Sequence, residues 1–525
     1  MNYRNMHKIR IGSFLIVNFL FWGFLTSQNA VYPNNGTLFD DQIHKLELWM
    51  DTSDYNEMVK TENLWTNQRY LVTLIYDEKD TLSNCDIRLK GNTSRTSKRK
   101  SFRIDTDKRI SSQSFQGLKT LNIHGNHNDP SMMREFLSAY TMRKMGVPHA
   151  RVNHVRLFVN GEYFGVRGIV EFIDKTFLNS RFYEKSGNLY KCTWPADLGY
   201  LGENQQSYKD VINPSPENER AYDLKTNESQ DDYTRLVDLI SLINKLPADK
   251  FKDSIGKWVN TDAYLKALAA EILIGHWDNY FANKNNYYLY DRTKDQKFIY
   301  VPYDMDNTFG VQWGFSNINT RNIHNWGDKG KSSATLTYAL LEHAEFQKMF
   351  EGFVFGAVND FFNEEHMFPV IDSLAKRLDP WIKEDKHFSG TWSSDYGFTY
   401  DDWKKSINQG LGNHATFGVK PYISDRVASA KQQFKFTHGF NVKESSKYVL
   451  FPNPTSHFVF VHDLKFEGRR LGDHESEVVD IYSYTGDAIA KIKWDDGFLD
   501  VSKLPNGIYI LMKGSERLGK FQIMK

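Results

Sequence analysis

Carboxylate and amide residues cluster between positions 276 and 306, and their types match what phosphoryl transfer requires. Asn283 lies five residues beyond Asp278, and Asp304 and Asp306 follow two predicted short strands. An aspartate can orient a hydroxyl nucleophile and accept its proton, and amide and carboxylate oxygens are ligands that Mg²⁺ prefers. In an extended segment Asp304 and Asp306 would face the same way. The spacing also fits Asx-rich turns that cap helices and strands, and this alternative stays open.

Two regions of different periodicity are predicted to position this cluster. Residues 40–175 show strand-like alternation, an Asn160-Gly161 hairpin turn and one helix over residues 132–145. Residues 230–440 show mainly helical spacing, including one continuous helix over residues 336–350. Strands followed by helices predict the α+β class.

Length and composition exclude several classes of protein. A chain of 525 residues is too long for one core, and 40% hydrophobic with 25% charged residues excludes disorder of the whole chain. A net charge of +1 provides no basic field for nucleic acid, so no nucleic-acid partner is expected. Two cysteines, Cys85 and Cys192, exclude a disulfide framework and a four-cysteine zinc site, and the sequence leaves their pairing open.

The N-terminus has the order of a secretory signal peptide. Arg4, Lys8 and Arg10 precede a mostly apolar run over residues 11–25, and small polar residues follow. A helix of that run is about 22 Å long, shorter than the roughly 30 Å hydrocarbon core of a bilayer. We therefore expect residues 1–27 to be removed, no permanent membrane span, and a protein that is secreted or on the cell surface. A membrane-tethered N-terminus is the alternative.

The blocks that carry chemistry, taken in order, resemble the CotH family, the spore-coat protein H kinases, an atypical protein-kinase-like group. The resemblance covers about residues 40–430 and implies a two-lobed domain over residues 40–440, with a β-rich lobe (40–175) and a helical lobe (230–440). It also implies ATP, Mg²⁺ and phosphate transfer to serine or threonine of a protein substrate. The matching blocks are residues 88–94, 98–104, 133–135, 157–171, and 276–290 with 302–310.

The resemblance assigns catalytic and metal-binding roles. Asp278 resembles the catalytic-loop aspartate, and Asn283 with the pair Asp304 and Asp306 resembles the metal ligands. Glu135 is the counterpart of a glutamate that pairs with a strand lysine, although a surface charge is the slightly preferred interpretation.

Four basic residues are candidates for binding ATP phosphates under the same resemblance. Lys100, ahead of a predicted strand, is the preferred cation for the α- and β-phosphates, with Arg103 a close rival. Arg88 and Lys90, with the Gly91 turn, can cradle phosphate by charge and backbone N–H groups. A run of lysines is equally typical of a solvated face. No glycine-rich G-x-G-x-x-G loop precedes Lys100, so the phosphate lid differs from that of ordinary kinases.

The C-terminal residues 447–525 are predicted to form a separate small β-sandwich. Alternating runs at 458–461, 478–482, 489–492 and 508–512 are separated by turn residues. The segments 451–455, 479–486 and 504–510, and the closing Lys525, resemble a type A sorting domain of the type IX secretion system. That resemblance implies a Bacteroidetes-type bacterium and the type IX machinery as partner. A carbohydrate-binding or adhesion sandwich is the alternative.

Three functions remain open from the sequence. The first is an exported protein serine/threonine kinase. The second is a catalytically silent surface scaffold or adhesin, and the scarcity of ATP outside the cytoplasm favours it. The third is a kinase-like enzyme acting on a small molecule or glycan. The complete set of Asp278, Asn283, Asp304 and Asp306 counts against the silent scaffold.

Overall fold

The computed structural model describes residues 36–213, 219–315, 317–327 and 334–434, together with parts of the C-terminal region. Those parts are residues 448–451, 458–463, 477–484, 486–494, 498–501, 503–514 and 516–523. The predicted signal segment 1–27, the 452–455 turn and Lys525 lie outside the described residues. The chain divides into two compact units, a larger one with Ala30–Lys443 and Tyr482–Ala490 and a smaller one that includes Glu444–Ile481 and Lys491–Lys525.

A closed seven-stranded barrel forms the first part of the larger unit. Its order is β1-β2-β3-β4-β5-β7-β6, and β6 closes it by pairing in parallel with β1. Alternate residues such as Leu46, Leu48, Val72 and Leu74 are buried in its core, as expected for strands with one face inward. The strands are β1 His44–Trp49, β2 Tyr70–Tyr76, β3 Asp80–Leu89, β4 Phe102–Asp105, β5 Thr120–His124, β6 Val152–Val159 and β7 Glu162–Glu171.

Helices, a four-stranded sheet ordered β11-β8-β12-β13 and a two-stranded sheet of β9 and β10 make up the rest of the larger unit. The strands are β8 Asn188–Cys192, β9 Val211–Asn213, β10 Glu219–Arg220, β11 Tyr222–Leu224, β12 Tyr287–Arg292 and β13 Lys297–Pro302. The helices are α1 Thr52–Val59, α2 Arg134–Lys144, α3 Lys175–Phe182, α4 Thr234–Lys245, α5 Ala248–Trp258, α6 Thr261–Ile274, α7 Tyr280–Asn283, α8 Thr335–Leu341, α9 Ala344–Asp360, α10 Glu364–Glu384, α11 Tyr400–Asn408 and α12 Val419–Gln433. The α+β class is therefore confirmed.

The single helix expected over residues 336–350 is wrong, because two helices, α8 and α9, occupy this stretch. His343 has extended backbone angles (φ −93°, ψ 123°) and ends the continuity. In this conformation its ring stacks on Phe251, with the ring centres 5.9 Å apart. A tertiary aromatic contact thus overrides the local helical periodicity.

Helix α6 is buried on almost all sides, and it ends shortly before Asp278 of the candidate site. Asn260 caps its start by accepting a hydrogen bond from the backbone N–H of Ala263 at 3.1 Å. Gly275 ends it in the left-handed region (φ +76°), where a Cβ would lie 2.2 Å from the Tyr422 hydroxyl oxygen. Glycine is needed here for both conformation and space, so the chain turns sharply into the segment that carries Asp278.

A buried ion cluster joins the end of α10 to the barrel. Arg99 Nη1 lies 2.9 Å and Arg167 Nη1 3.9 Å from Asp385 Oδ2, and all three side chains are almost fully buried. Gly165 lies against this carboxylate, because an added Cβ would be 1.9 Å from Oδ2. Although burial opposes ionisation, Arg99 and Arg167 hold the pKa of Asp385 below its ordinary value.

The C-terminal residues form two sheets, one ordered β14-β15-β18 and one β17-β16-β19-β20. Val479, Ile481, Leu511 and Phe521 are fully buried. That this region is an independent domain stays a prediction. The strands are β14 Tyr448–Phe451, β15 Phe458–Asp463, β16 Glu477–Ser483, β17 Ala488–Trp494, β18 Phe498–Asp500, β19 Gly507–Lys513 and β20 Glu516–Ile523.

Cys85 and Cys192 are both buried and free. In the part of the chain that the structure describes, no helix combines the length and apolarity needed to cross a membrane.

Candidate active site

The Asp278 carboxylate is held in place by three amide side chains. Its Oδ1 accepts from Asn283 Nδ2 at 2.5 Å and from Asn285 Nδ2 at 3.2 Å, and its Oδ2 accepts from Asn286 Nδ2 at 2.8 Å. Burial raises the pKa of Asp278, and the hydrogen bonds from Asn283 and Asn285 partly offset this effect. The carboxylate is therefore fixed in direction and less shielded by water than a surface aspartate.

Short local structures after α6 place Asp278 and Asn283 next to each other. His276 is fully buried, and its Nδ1 lies 3.1 Å from Glu271 Oε1 on α6. Asn279 then caps the one-turn helix α7 by accepting from the backbone N–H of Ala282 at 2.9 Å. Helix α7 ends at Asn283, which brings its amide back to Asp278. The five-residue spacing between Asp278 and Asn283 is thus spanned by one helical turn.

The segment with Asp304 and Asp306 is a turn and not the expected extended strand. Asp304 has a left-handed backbone (φ +55°) immediately after β13. Two residues of α2 hold this turn by hydrogen bonds. Ser138 donates to the Met305 carbonyl at 3.1 Å, and Arg134 Nε donates to the Thr308 carbonyl at 3.1 Å. The prediction that both carboxylates face the same way by strand alternation does not apply, because the backbone is not extended.

A buried polar cluster links the barrel, α2 and the Asp304 turn. Lys90 Nζ lies 2.7 Å from His124 Nε2, and His124 Nδ1 lies 2.9 Å from Glu135 Oε2. One ligand atom each of His124, Glu135 and Asp304 lies within 4.8 Å of the others. Glu135 is therefore buried at the cluster, which contradicts its interpretation as a surface charge.

Two carboxyl groups of this site, Asp306 and Glu135, have raised pKa values. Burial, then the charges of Asp304, Glu135 and Asp278, raise the pKa of Asp306 well above its ordinary value. Burial and the charge of Asp304 raise the pKa of Glu135 to about 8. Buried carboxylates this close together repel one another, and a bound cation would relieve the repulsion. Carboxylate oxygens are ligands that hard divalent cations prefer. The residues present therefore fit a Mg²⁺ ion.

The other three predicted phosphate-binding residues have hydrogen-bond partners in β4 or in the connections that lead into β2 and β4. Lys100 Nζ donates to the Arg95 carbonyl at 2.6 Å, Arg103 Nε donates to Asp105 Oδ1 at 2.9 Å, and Arg88 Nη1 donates to Asn67 Oδ1 at 2.9 Å. The structure places Lys90, and not the preferred Lys100, in the cluster. The sequence could not separate these lysines, because the neighbours of a lysine's ammonium group depend on how β3, β5 and α2 meet.

Sequence reasoning did not single out Asn285 and Asn286, which hold Asp278, and it missed His124. His124 ends β5, and burial lowers its pKa to about 3. The 16 histidines are scattered along the chain, so no motif marks this one. The signal in the sequence that could have indicated His124 is its position at the end of a strand, directly before Gly125.

Comparison with known proteins gives a family. Residues 87–415 match the family described as CotH kinase protein. The chain is 25% identical to Inner spore coat protein H of Bacillus subtilis over 348 residues, which is 65% of this chain and 88% of that protein. It is 25% identical to Spore coat protein homolog 1 and 24% identical to Invasin CotH3, both of Rhizopus delemar. These alignments span 50% and 53% of the two fungal proteins. The family match covers more than half of the chain and includes every candidate site residue, and this chain belongs to the CotH kinase protein family.

Proposed function

We propose that this protein is an exported kinase that transfers the γ-phosphate of ATP, with Mg²⁺, to a serine or threonine hydroxyl of a protein substrate. Two geometric observations carry the proposal: Asp278 is held by three amides, and ligand atoms of Asp304, Glu135 and His124 lie within 4.8 Å of one another, with Lys90 on His124. The charges of Asp304 and Asp278 both raise the pKa of Asp306. Family membership supports the kinase class, and the hydroxyl specificity rests on the resemblance alone. The barrel and the helical region would serve as the two lobes.

Asp278 is assigned to orient the hydroxyl nucleophile and to accept its proton. Burial raises its pKa and so makes it a better proton acceptor than an exposed aspartate. The amides of Asn283, Asn285 and Asn286 donate to it along fixed directions. Oδ1 already accepts two of these hydrogen bonds and Oδ2 accepts one, so the second lone pair of Oδ2 is left for the incoming hydroxyl.

Asp304, Asp306 and Asn283 are assigned to hold the metal. Asn283 Nδ2 is used on Asp278, so its Oδ1 carbonyl is the atom left for a cation. When bound, Mg²⁺ would neutralise phosphate charge as the phosphoryl group moves. Lys90 supplies the fixed positive charge for the phosphates, and the Gly91 turn that follows it is pinned by Arg95 Nε, which donates to the Gly91 carbonyl at 2.6 Å.

Incubating the purified protein with γ-labelled ATP and Mg²⁺ tests the proposal. Label on protein supports the kinase, with phosphoamino-acid analysis deciding between serine and threonine. Label on an added small acceptor favours the small-molecule or glycan enzyme. No label, under conditions where ATP binding is measured directly, favours the silent scaffold. The names of the fungal relatives, which include the word invasin, are the observation that keeps a surface-adhesion role as the second candidate.

Asp304→Asn and Asp306→Asn are expected to weaken Mg²⁺-dependent ATP binding, because each removes a charged oxygen ligand. The loss should be at least the roughly 10- to 100-fold that removing an outer-shell partner of a metal costs. Calorimetric titration of ATP at several Mg²⁺ concentrations measures it. Asp295→Asn, in the β12–β13 turn and paired with Arg292, is the matched control. An unchanged Mg²⁺ dependence in both variants would remove the metal assignment.

Deletion of residues 447–525 is expected to leave ATP affinity unchanged and to stop the protein in the periplasm. We propose that this region is the type IX sorting signal, on the resemblance of its segments and on no other ground. Fractionation of cells that express the full and truncated chains measures the outcome. Normal arrival of the truncated chain at the cell surface would refute the sorting assignment.

A further inference from the structure

Lys90 does not contact Glu135 directly, because an imidazole stands between them. Lys90 follows β3, His124 ends β5 and Glu135 lies in the first turn of α2. The ammonium lies 2.7 Å from Nε2 of the ring, and the carboxylate lies 2.9 Å from Nδ1. Three elements that are distant in sequence thus form one line of hydrogen bonds, Lys90–His124–Glu135.

The chemistry of the three groups fixes the direction of these hydrogen bonds. Burial lowers the pKa of Lys90, and the charges of Asp304 and Glu135 oppose this effect and favour the ammonium form. The ammonium has three donors and no acceptor, so Nε2 of His124 accepts. A neutral imidazole carries its proton on one nitrogen only, so that proton is on Nδ1 and is donated to Glu135. Glu135 therefore fixes the tautomer of His124, and the tautomer presents a lone pair to Lys90.

We propose that His124 is the positioning residue for Lys90, and that this neutral ring, rather than Glu135, aims the ammonium at the phosphates of a nucleoside triphosphate. The proposal rests on the function proposed above and adds to it a residue that the family resemblance did not assign. One ammonium proton is used on His124. Two remain for an anion. The Tyr303 ring centre lies 5.8 Å from Nζ.

The cluster of His124, Glu135 and Asp304 does not make a metal site by itself. Both ring nitrogens of His124 are already used, one by Lys90 and one by Glu135. The Lys90 ammonium also occupies the position from which a cation would reach Nε2. A transition metal here would have to displace a positive charge that the carboxylates attract.

A pair of His124 variants separates positioning from packing. The side-chain oxygen of glutamine can reach the place of Nε2, whereas the shorter asparagine reaches only the place of Nδ1. We expect His124→Gln to keep the affinity for ATP with Mg²⁺ within about threefold. His124→Asn and His124→Ala should each lose about 10- to 100-fold, the equivalent of one hydrogen bond to a charged group. Glu135→Gln should lose less than His124→Ala, since Lys90 keeps its direct partner.

Calorimetry with ATP and Mg²⁺ on the full chain measures these affinities, and circular dichroism checks that each variant is folded. His149→Ala removes another buried imidazole, one whose Nδ1 lies 2.7 Å from the Val147 carbonyl, and controls for loss of packing. Equal losses in His124→Gln and His124→Asn, or a larger loss in Glu135→Gln than in His124→Ala, would overturn the proposal.

The tautomer gives a test that does not depend on nucleotide. In ¹⁵N-histidine-labelled protein, the signals that disappear in His124→Gln belong to His124. We expect a neutral ring with a protonated Nδ1 and an unprotonated Nε2. A protonated Nε2 would overturn the positioning role even if ATP binds. If the parent protein fails to bind ATP, the proposed kinase function fails, and the NMR result still decides whether His124 accepts from Lys90.

Discussion

Replacing Asp278 by asparagine is expected to lower kcat by about 10²- to 10⁴-fold, the usual cost of losing a general base. Asparagine has nearly the same shape but carries no charge and cannot accept the proton of the hydroxyl. Its amide group would also face the donors of Asn283 and Asn286, which now give hydrogen bonds to a carboxylate. The affinity for ATP with Mg²⁺ should change little, because Lys90, Asp304 and Asp306 lie on other segments. Asn283, the assigned metal ligand next to Asp278, contacts it through Nδ2 and keeps its Oδ1 for the cation.

Single-turnover transfer from γ-labelled ATP and calorimetric ATP binding together measure these two effects. Asp262→Asn is the control, since Asp262 is half exposed on the same α6 that leads to Asp278 and pairs only with Lys266 among the described ion pairs. A parent-like rate in Asp278→Asn would place the activity at another site or in a contaminant. A loss of ATP binding as large as the loss of rate would show that Asp278 belongs to the nucleotide or metal site.

Replacing Asp385 by alanine is expected to lower the free energy of unfolding of the larger unit by about 3–5 kcal/mol. The carboxylate is fully buried between Arg99 and Arg167, so its removal leaves two guanidinium groups buried together without a counter-charge. Because this ion cluster joins the end of α10 to the barrel, its loss should destabilise the barrel and the helical region together. Asp385→Asn should fall between the parent and the alanine variant, since its amide oxygen still accepts a hydrogen bond.

Urea unfolding followed by tryptophan fluorescence measures this loss. Asp372→Ala, on the same helix α10, removes a 62% exposed carboxylate that pairs with Lys420 and should cost about 1 kcal/mol or less. Similar costs for the two variants would mean that the buried cluster contributes no more than a surface pair.

The contribution of Asp385 should also depend on pH with a definite sign. Arg99 and Arg167 hold its pKa in the folded protein below the ordinary value, against the opposing effect of burial. A carboxyl group with a lowered pKa stabilises the fold at pH values above its unfolded pKa of about 4. The stability difference between the parent and Asp385→Ala should therefore be constant near neutral pH and shrink as the pH falls through the folded pKa. A difference that grows on acidification would contradict this account.

Local sequence was enough to predict many elements because their signals lie within a few residues. The Asn160-Gly161 turn joins β6 and β7 as expected. The helix expected over residues 132–145 is α2, Arg134–Lys144. Barrel closure was not predictable in this way, because the parallel pairing of β1 with β6 joins residues about a hundred positions apart and leaves no short-range pattern.

The sequence by itself determined which oxygen-bearing residues the candidate site has, since Asp278, Asn283, Asp304 and Asp306 stand in a recognisable order at short spacing. Only the tertiary structure decided which cation joins them. Lys90 and Lys100 are both lysines next to strands, but Lys90 Nζ reaches His124 whereas Lys100 Nζ reaches the Arg95 carbonyl in the β3–β4 connection. The physical reason is that a long flexible side chain is directed by its neighbours in space. Those neighbours, at the end of β5 and in α2, come together only when the barrel closes and α2 packs against the Asp304 turn.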